Sequence, residues 1–313
     1  MTRRLGIVLA ATALAVASVG LATPLGADEG GPSAQALIAT LTGGGPGSGS
    51  QWFVVDSSTI LCASSIASTG GLGVNDATLD PSGLDQSDAY DGAFLGYVNG
   101  IQFPGSPNST DGSTFVQGGP ALVGGVTVTV RFTVIPGSHA GLREVVTFTN
   151  PGVTTANVTW TQAYNLGSDA STGVLATGSG DTTLSTTDSY SVTSDGNTSG
   201  GGDPVNTLVY FGNGNVLHPT FGGTCANTFN GNDSLALDYA LSIPAGGTVR
   251  LMFFGVLSDS TNPAVAVAEA PVLPAITAGS PLLAGLTAAE LASIKNWNFP
   301  MTVAVVATPM LTG

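Results

Sequence analysis

Apolar and polar residues alternate along most of this chain. VTVTVRFTV (126–134) shows it best: Val126, Val128, Val130, Phe132 and Val134 share one side, and Thr127, Thr129, Arg131 and Thr133 the other. Side chains of a strand point to opposite faces with a period of two, so the pattern predicts a half-buried β-strand. The same period puts Val158, Trp160, Gln162 and Tyr164 on one face of NVTWTQAY, and Leu235, Leu237, Tyr239 and Leu241 on one face of LALDYAL. Further strands are expected over 52–55, 94–98, 145–149, 173–177, 207–211 and 248–257, separated by turn clusters such as PGSHAG, TNPG and IPAGG. An apolar sheet face must be covered, and antiparallel sheets cover it by packing on a second sheet. The expected fold is therefore all-β: a large antiparallel β-sandwich with one or two short C-terminal helices. The strand region exceeds one immunoglobulin-sized module; one many-stranded sandwich is preferred, with two tandem sandwiches as the alternative.

Both ends depart from this pattern. LTAAELASIKNW reads as a helix with Thr287 and Glu290 at capping-box spacing and Leu291, Ile294 and Trp297 near one face. NPAVAVAEAPVL (262–273) reads as a short helix stopped before Pro274, and TVAVVATP (302–309) as a last strand. At the other end, Arg3 and Arg4 precede an apolar stretch over 5–22, and small residues lead to Asp28 and Glu29. That is the layout of a secretory signal peptide, cleaved after Ala27 or, alternatively, after Ala22. An uncleaved anchor is the competing reading of so short a stretch. The expected division is a signal peptide over 1–27, a Gly/Ser/Pro-rich linker over 28–50 with a helical turn at 34–41, and the sandwich with its C-terminal helix and last strand over 51–313. The product is expected to be secreted, extracellular or at the cell surface, with no membrane span after cleavage.

Charge narrows the partners. Losing residues 1–27 removes two arginines and no acid, taking the net charge from −14 to −16. So acidic a chain repels phosphate backbones and anionic membranes, which disfavours nucleic-acid binding. Charged residues are only 8% against 42% hydrophobic, which is no disordered composition. Cys62 and Cys225 are the only cysteines and, in an exported chain, are expected to form one disulfide.

The acidic residues carry the main candidate chemistry. The densest stretch, NDATLDPSGLDQSDAYDG, holds Asp85, Asp88 and Asp91. Asn165 and Asp169 follow a predicted strand and Asp181 follows the next. Ca²⁺ takes six to eight hard oxygens in flexible geometry, so Asp85, Asp88, Asp91, Asp169 and Asp181 form the candidate metal set. The competing reading is that each aspartate caps its own turn. GGLGVND (70–76) matches one unit of a glycine-rich Ca²⁺ repeat except at Asn75, and a lone copy cannot stack. The two histidines, His139 and His218, lie far apart in loop-like stretches, and no G-x-S-x-G elbow occurs. Glu144, inside a strand pattern, is expected to pair across strands with an arginine such as Arg131. Trp52, Tyr90, Tyr97, Trp160, Tyr190 and Tyr210 are the candidates for stacking on sugars, with Trp160 and Trp297 assigned instead to the core.

SDAYDGAFLGYVNGIQF (87–103), YNLGSDASTGVLATGSGD (164–181), DPVNTLVYFG (203–212) and GLTAAELASIKNW (285–297) occur in that order. Together they resemble a group of secreted bacterial β-rich proteins with YDG…VNG, NLGSD…T…SGD and a late helix ending in NW. The resemblance implies an exported β-sandwich and brings no activity with it. The expected function is a non-catalytic binding or structural module, Ca²⁺-stabilised, with a cell-wall or glycan ligand. The alternative is a carbohydrate-active enzyme or carbohydrate-binding protein on the same scaffold.

Overall fold

The structure, a computed structural model, describes residues 36–43, 48–57, 60–61, 66–67, 71–81, 86–135, 140–196, 202–214, 216–222, 229 and 233–299. The expected signal peptide, Cys62, Cys225, Asp85, His139 and the expected last strand lie outside the described residues. In chain order the first strands are β1 (Ala36–Gly43), β2 (Ser48–Ser57), β3 (Ile60–Leu61), β4 (Ile66–Ala67), β5 (Gly71–Pro81) and β6 (Tyr90–Val98). Next come β7 (Ile101–Gln102), β8 (Asn108–Thr110), β9 (Phe115–Val123), β10 (Val126–Val134), β11 (Ala140–Thr149) and β12 (Ala156–Leu166). A 3₁₀ turn, Asp169–Ser171, leads to β13 (Thr172–Thr177), β14 (Tyr190–Asp195) and β15 (Val205–Val209). The last strands are β16 (Thr220–Phe221), β17 (Ser234–Ile243) and β18 (Thr248–Ser258). Helix α1 (Pro263–Glu269), two further 3₁₀ turns and helix α2 (Ala288–Ser293) close the described chain.

The fold is a β-sandwich of two antiparallel sheets. Sheet I runs β1-β2-β5-β6-β12-β17-β16, with β7 beside β6; sheet II runs β13-β14-β15-β18-β11-β10-β9-β8. The alternation read from the sequence fills the space between them. In β10 every second residue from Val126 to Val134 is buried and the threonines and Arg131 between them are not. Trp160, Tyr164, Leu235, Leu237 and Tyr239 join the same core, alongside Phe94, Phe132 and Phe148. Phe148 meets Trp160 edge-on at 5.3 Å, and Phe94 meets Tyr164 at 5.2 Å. Such aromatic pairs contribute beyond their buried area.

A third layer lies on the outer face of sheet II. Val145, Val205, Met252 and Phe254 point outward and are covered by Ala266, Leu273, Leu283, Leu291 and Trp297. The expected capping box forms: the Thr287 hydroxyl accepts from the Glu290 amide, and the Glu290 carboxylate accepts from the Thr287 amide. Asn296 then fixes this layer. Fully buried, it accepts from the Met252 amide and donates to the Met252 and Tyr210 carbonyls at 2.8–3.0 Å. The first C-terminal helix ends at Glu269 and continues as a 3₁₀ turn through Pro274.

Three expectations are corrected. Residues 36–43 form strand β1 on the edge of sheet I rather than the helical turn expected within a linker, because Ala39 and Leu41 are buried when this segment pairs with β2. Glu144 does not pair with an arginine. It faces inward between the sheets, fully buried, and accepts from Gln162 Nε2 at 2.8 Å, while neighbouring Arg143 faces out and donates to the Leu282 and Ala284 carbonyls. The proposed sugar-stacking residues Trp52, Tyr90, Tyr97, Tyr190 and Tyr210 are all buried, as is Trp160, so they build the core instead of a platform.

Gly96 shows how tightly sheet I is packed. A Cβ there would lie 1.9 Å from the Trp160 ring, inside atoms that cannot move without disturbing Phe148. Gly96→Ala should therefore destabilise the fold by about 1–3 kcal/mol through overpacking, read as a lower urea midpoint with an unchanged slope.

Candidate metal centre

Strand direction assembles one acidic end of the sandwich. β6, β12 and β17 are antiparallel neighbours. The start of β6, the end of β12 and the start of β17 therefore share an end, and each carries an aspartate: Asp91, Asp169 just past β12, and Asp233 just before β17. Carboxylate oxygens of these three lie within 4.8 Å of one another.

Local backbone features place each side chain. In the pairing of β6 with β12, Asn165 faces Gly92 and Leu166 faces Tyr90, which leaves Asp91 as the extra residue of a bulge. Bulges re-aim side chains that a regular strand would commit to one face. Asp169 opens its 3₁₀ turn with φ of 48°, and Asp88 sits at 69°, left-handed conformations that aspartate tolerates better than most residues. The Asp88 segment presses against the end of β12: a Cβ on Gly167 would lie 2.0 Å from the Asp88 carbonyl, so only glycine allows the approach. The Asp233 carbonyl accepts from the Leu166 amide at 3.0 Å, and Ser234 donates to both Asp233 and Asn165.

More carboxylates stand behind the three. Asp76, on β5 and 9% exposed, accepts through Oδ1 from the amides of Ala77 at 2.6 Å and Ala89 at 3.0 Å. Burial, then the nearby Asp88, pushes Asp76 up to about 7. Burial and Asp169 push Asp88 up to about 6. Burial pushes Asp91 up to about 7, aided by Asp88, Asp169 and Asp233 and by a hydrogen bond shared with the Asp169 carboxyl. Asp203, at the entry to β15, is pushed up to about 7 by burial and by Asp88, Asp195, Asp76 and Asp169, and burial raises Asp233 as well. No arginine or lysine figures among the charges acting on these groups.

This arrangement could hold a hard divalent cation. Two oxygens bound to one ion at about 2.4 Å each stand at most about 4.8 Å apart, and the oxygens of the three aspartates lie within that limit. At the Asp88 segment, Asn206 donates from Nδ2 to the Ala89 carbonyl at 3.1 Å while its buried Oδ1 has no hydrogen-bond partner. A neutral oxygen next to the Asp88 segment is the kind of donor that completes an oxygen shell.

Of the expected set, Asp88, Asp91 and Asp169 come together here. Asp181 does not. Asp169 precedes β13 and Asp181 follows it, and six residues at about 3.3 Å each separate the two ends of that strand. Asp181 instead closes its own turn: its carboxylate accepts from the Thr183 amide and the Thr177 hydroxyl, which hold it below the usual carboxylate range. The sequence reading missed Asp233 and Asp203 and left Asp76 out of the metal set. The available signal was position, since Asp233 stands immediately before β17 and Asp203 two residues before β15.

No family model and no curated protein matches the chain. Among solved structures, it is similar to a polysaccharide lyase at 16% identity and a TM-score of 0.36, covering 66% of this chain and 32% of that one. It is also similar to a galactose mutarotase-like protein from Lactobacillus casei at 10% identity and a TM-score of 0.37, covering 70% of this chain and 100% of that one. The chain thus spans about a third of the lyase's length. Likenesses this distant carry no inference about activity.

The raised carboxyls make stability depend on pH. Asp76 binds its proton more tightly folded than at its ordinary value of 3.8. Its contribution is therefore complete below about pH 4 and is lost as pH rises towards 7. In chelator, the urea midpoint should fall across this window, and Asp76→Asn, which keeps an accepting oxygen, should flatten the slope by up to about 1.4 kcal/mol per pH unit.

Proposed function

We propose that this chain is a secreted or surface-associated, non-catalytic binding module whose sandwich is stabilised by Ca²⁺ held at the aspartate end. The observation that carries the reading is the Asp91–Asp169–Asp233 triad, three carboxylates within 4.8 Å contributed by three separate segments. Without a counterion their mutual repulsion is relieved only by protonation; a divalent ion relieves it at neutral pH and ties β6, the β12–β13 connection and the entry to β17 together. The Asp88 segment is already fastened by backbone and side-chain bonds from Ala89 to Asp76, Gly167 and Asn206, so few additional residues need ordering when the ion binds.

A glycosidase pair is the competing use of neighbouring carboxyls. Two carboxyls that flank a glycosidic bond stand about 5–9.5 Å apart, with room for a sugar and a water. The aromatic residues that would have formed a sugar-stacking wall are in the core.

Calcium at a hundred times its dissociation constant should add about 2.7 kcal/mol of stability. For a domain of this size that is a rise of about 5–10 °C in Tm, reversed by EDTA. The double variant Asp91→Asn, Asp169→Asn should lose the rise, and Asp181→Asn should keep it. A Tm unmoved by millimolar Ca²⁺ would falsify the reading.

A further inference from the structure

The strands that bring the aspartates together build a different surface at their other end. β6 leaves the acidic end at Asp91 and stops at Val98, with Asn99 in the turn beyond it, roughly 26 Å away at the rise of a strand. β12 and β17 run on past this point. Trp160 pairs with Val98, while Thr159 pairs with Ala240 and Asn157 with Ser242 where β6 has ended. Val158 and Leu241 face the core, so Asn157, Thr159, Ala240 and Ser242 face outward. The step leaves a cleft of about 280 Å³ on the outer face of sheet I, with these four residues and Asn99 in its lining.

The chemistry of that lining is narrow. No charged side chain takes part in it, although the chain carries a net charge of −14. Asn99 closes the last rung of the sheet: its amide donates to the Thr159 carbonyl at 2.9 Å, and its Oδ1 accepts from the Thr159 amide at 2.9 Å. Its Nδ2 is left as a donor. The side chains of Asn157, Thr159 and Ser242 have no hydrogen-bond partner among the described residues. The nearest acid in register, Asp238, already accepts from Thr161 Oγ1 at 2.5 Å. Two exposed apolar side chains flank the lining along the chain: Ile101, 56% exposed, follows the Asn99 turn, and Val153, 94% exposed, precedes β12.

We propose that this cleft binds a neutral polysaccharide, with one or two pyranose rings in the step and their hydroxyls paired to Asn99, Asn157, Thr159 and Ser242. A sugar hydroxyl both donates and accepts, as do the amides and hydroxyls that face it. An ionic ligand would lose water here and meet no opposite charge. An extended peptide would need a run of free strand edge, and Asn99 occupies that edge at Thr159. The volume lies just below the range of about 300–1,000 Å³ for small-molecule pockets, so the rest of a glycan chain runs over the surface, where Ile101 and Val153 offer apolar contact to the C–H faces of its rings. No aromatic side chain lines the cleft, and recognition is carried by hydrogen bonds in place of ring stacking.

The inference rests on the binding-module reading and not on the cation, whose carboxylates lie at the opposite end of β6. Affinity electrophoresis of the protein through gels containing dextran, laminarin or galactomannan, with polygalacturonate as the charged control, tests it. Retardation by at least one of the three neutral polysaccharides, insensitive to salt, is expected, with none by polygalacturonate. Asn157→Ala should reduce the affinity about tenfold, and Ala240→Arg, which fills the cleft from an exposed position, should abolish it at an unchanged Tm. The proposal fails if none of the three retards the protein, if polygalacturonate retards it equally, or if both variants bind as the parent does. A protein retarded by a neutral polysaccharide whose Tm ignores Ca²⁺ overturns the cation reading alone; one that Ca²⁺ stabilises and no neutral polysaccharide retards overturns this inference alone.

Discussion

Two apolar sheet faces closing on each other constrain everything else in this protein. Burying Val126, Phe132, Phe148, Trp160, Tyr164 and Tyr239 between the sheets sets which face of each strand points inward, and antiparallel pairing makes neighbouring strands run in alternate directions. Strand direction decides which loops share an end. The aspartate end is a consequence of that packing: Asp91, Asp169 and Asp233 are distant in sequence and meet only because β6, β12 and β17 run alternately beside one another.

The electrostatics follow from the same geometry. An exposed aspartate on a turn, such as Asp181, is served by nearby hydroxyl and amide donors and stays ionised. An aspartate drawn in among other acids, such as Asp76 or Asp91, loses water and gains like-charged neighbours, so its proton is held more tightly. Both kinds carry the same side chain on loop-like sequence, and what separates them is how many strand ends converge around them. The positive charges obey the complementary rule. The core excludes them and the C-terminal layer captures two, Arg143 through the Leu282 and Ala284 carbonyls and Arg250 through Ser293 and Glu290, while Arg131 packs over the Phe115 ring.

The middle of the sandwich holds a polar group that the fold accommodates without a partner of opposite charge. Glu144 is raised well above the ordinary carboxyl range by burial, and it is linked through Gln162 to the Trp160 indole at 2.8 Å. A neutral carboxyl bonded to an amide costs far less in a dry core than a carboxylate would. Glu144 thereby joins the two sheets, since it lies on β11 and Gln162 lies on β12.

The sequence alone determined the fold class, because a period of two is a local property that survives any arrangement of strands. It located β10 and β18 closely, set the capping box at Thr287, and picked out Asp88 and Asp91 in the densest acidic stretch and Asp169 after a strand. It misread residues 36–43, whose mix of Ala, Leu, Ile and Thr suits a helical turn or a strand until β2 lies alongside, and it paired Glu144 across strands with Arg131, whose side chain leaves the core side of β10 while Glu144 faces into the core. Only the tertiary structure decided that Asp233 belongs with Asp91 and Asp169 while Asp181 stands a strand's length away. Pairing partners are set by packing across the whole sandwich, and no short stretch of sequence records which strand ends will be neighbours.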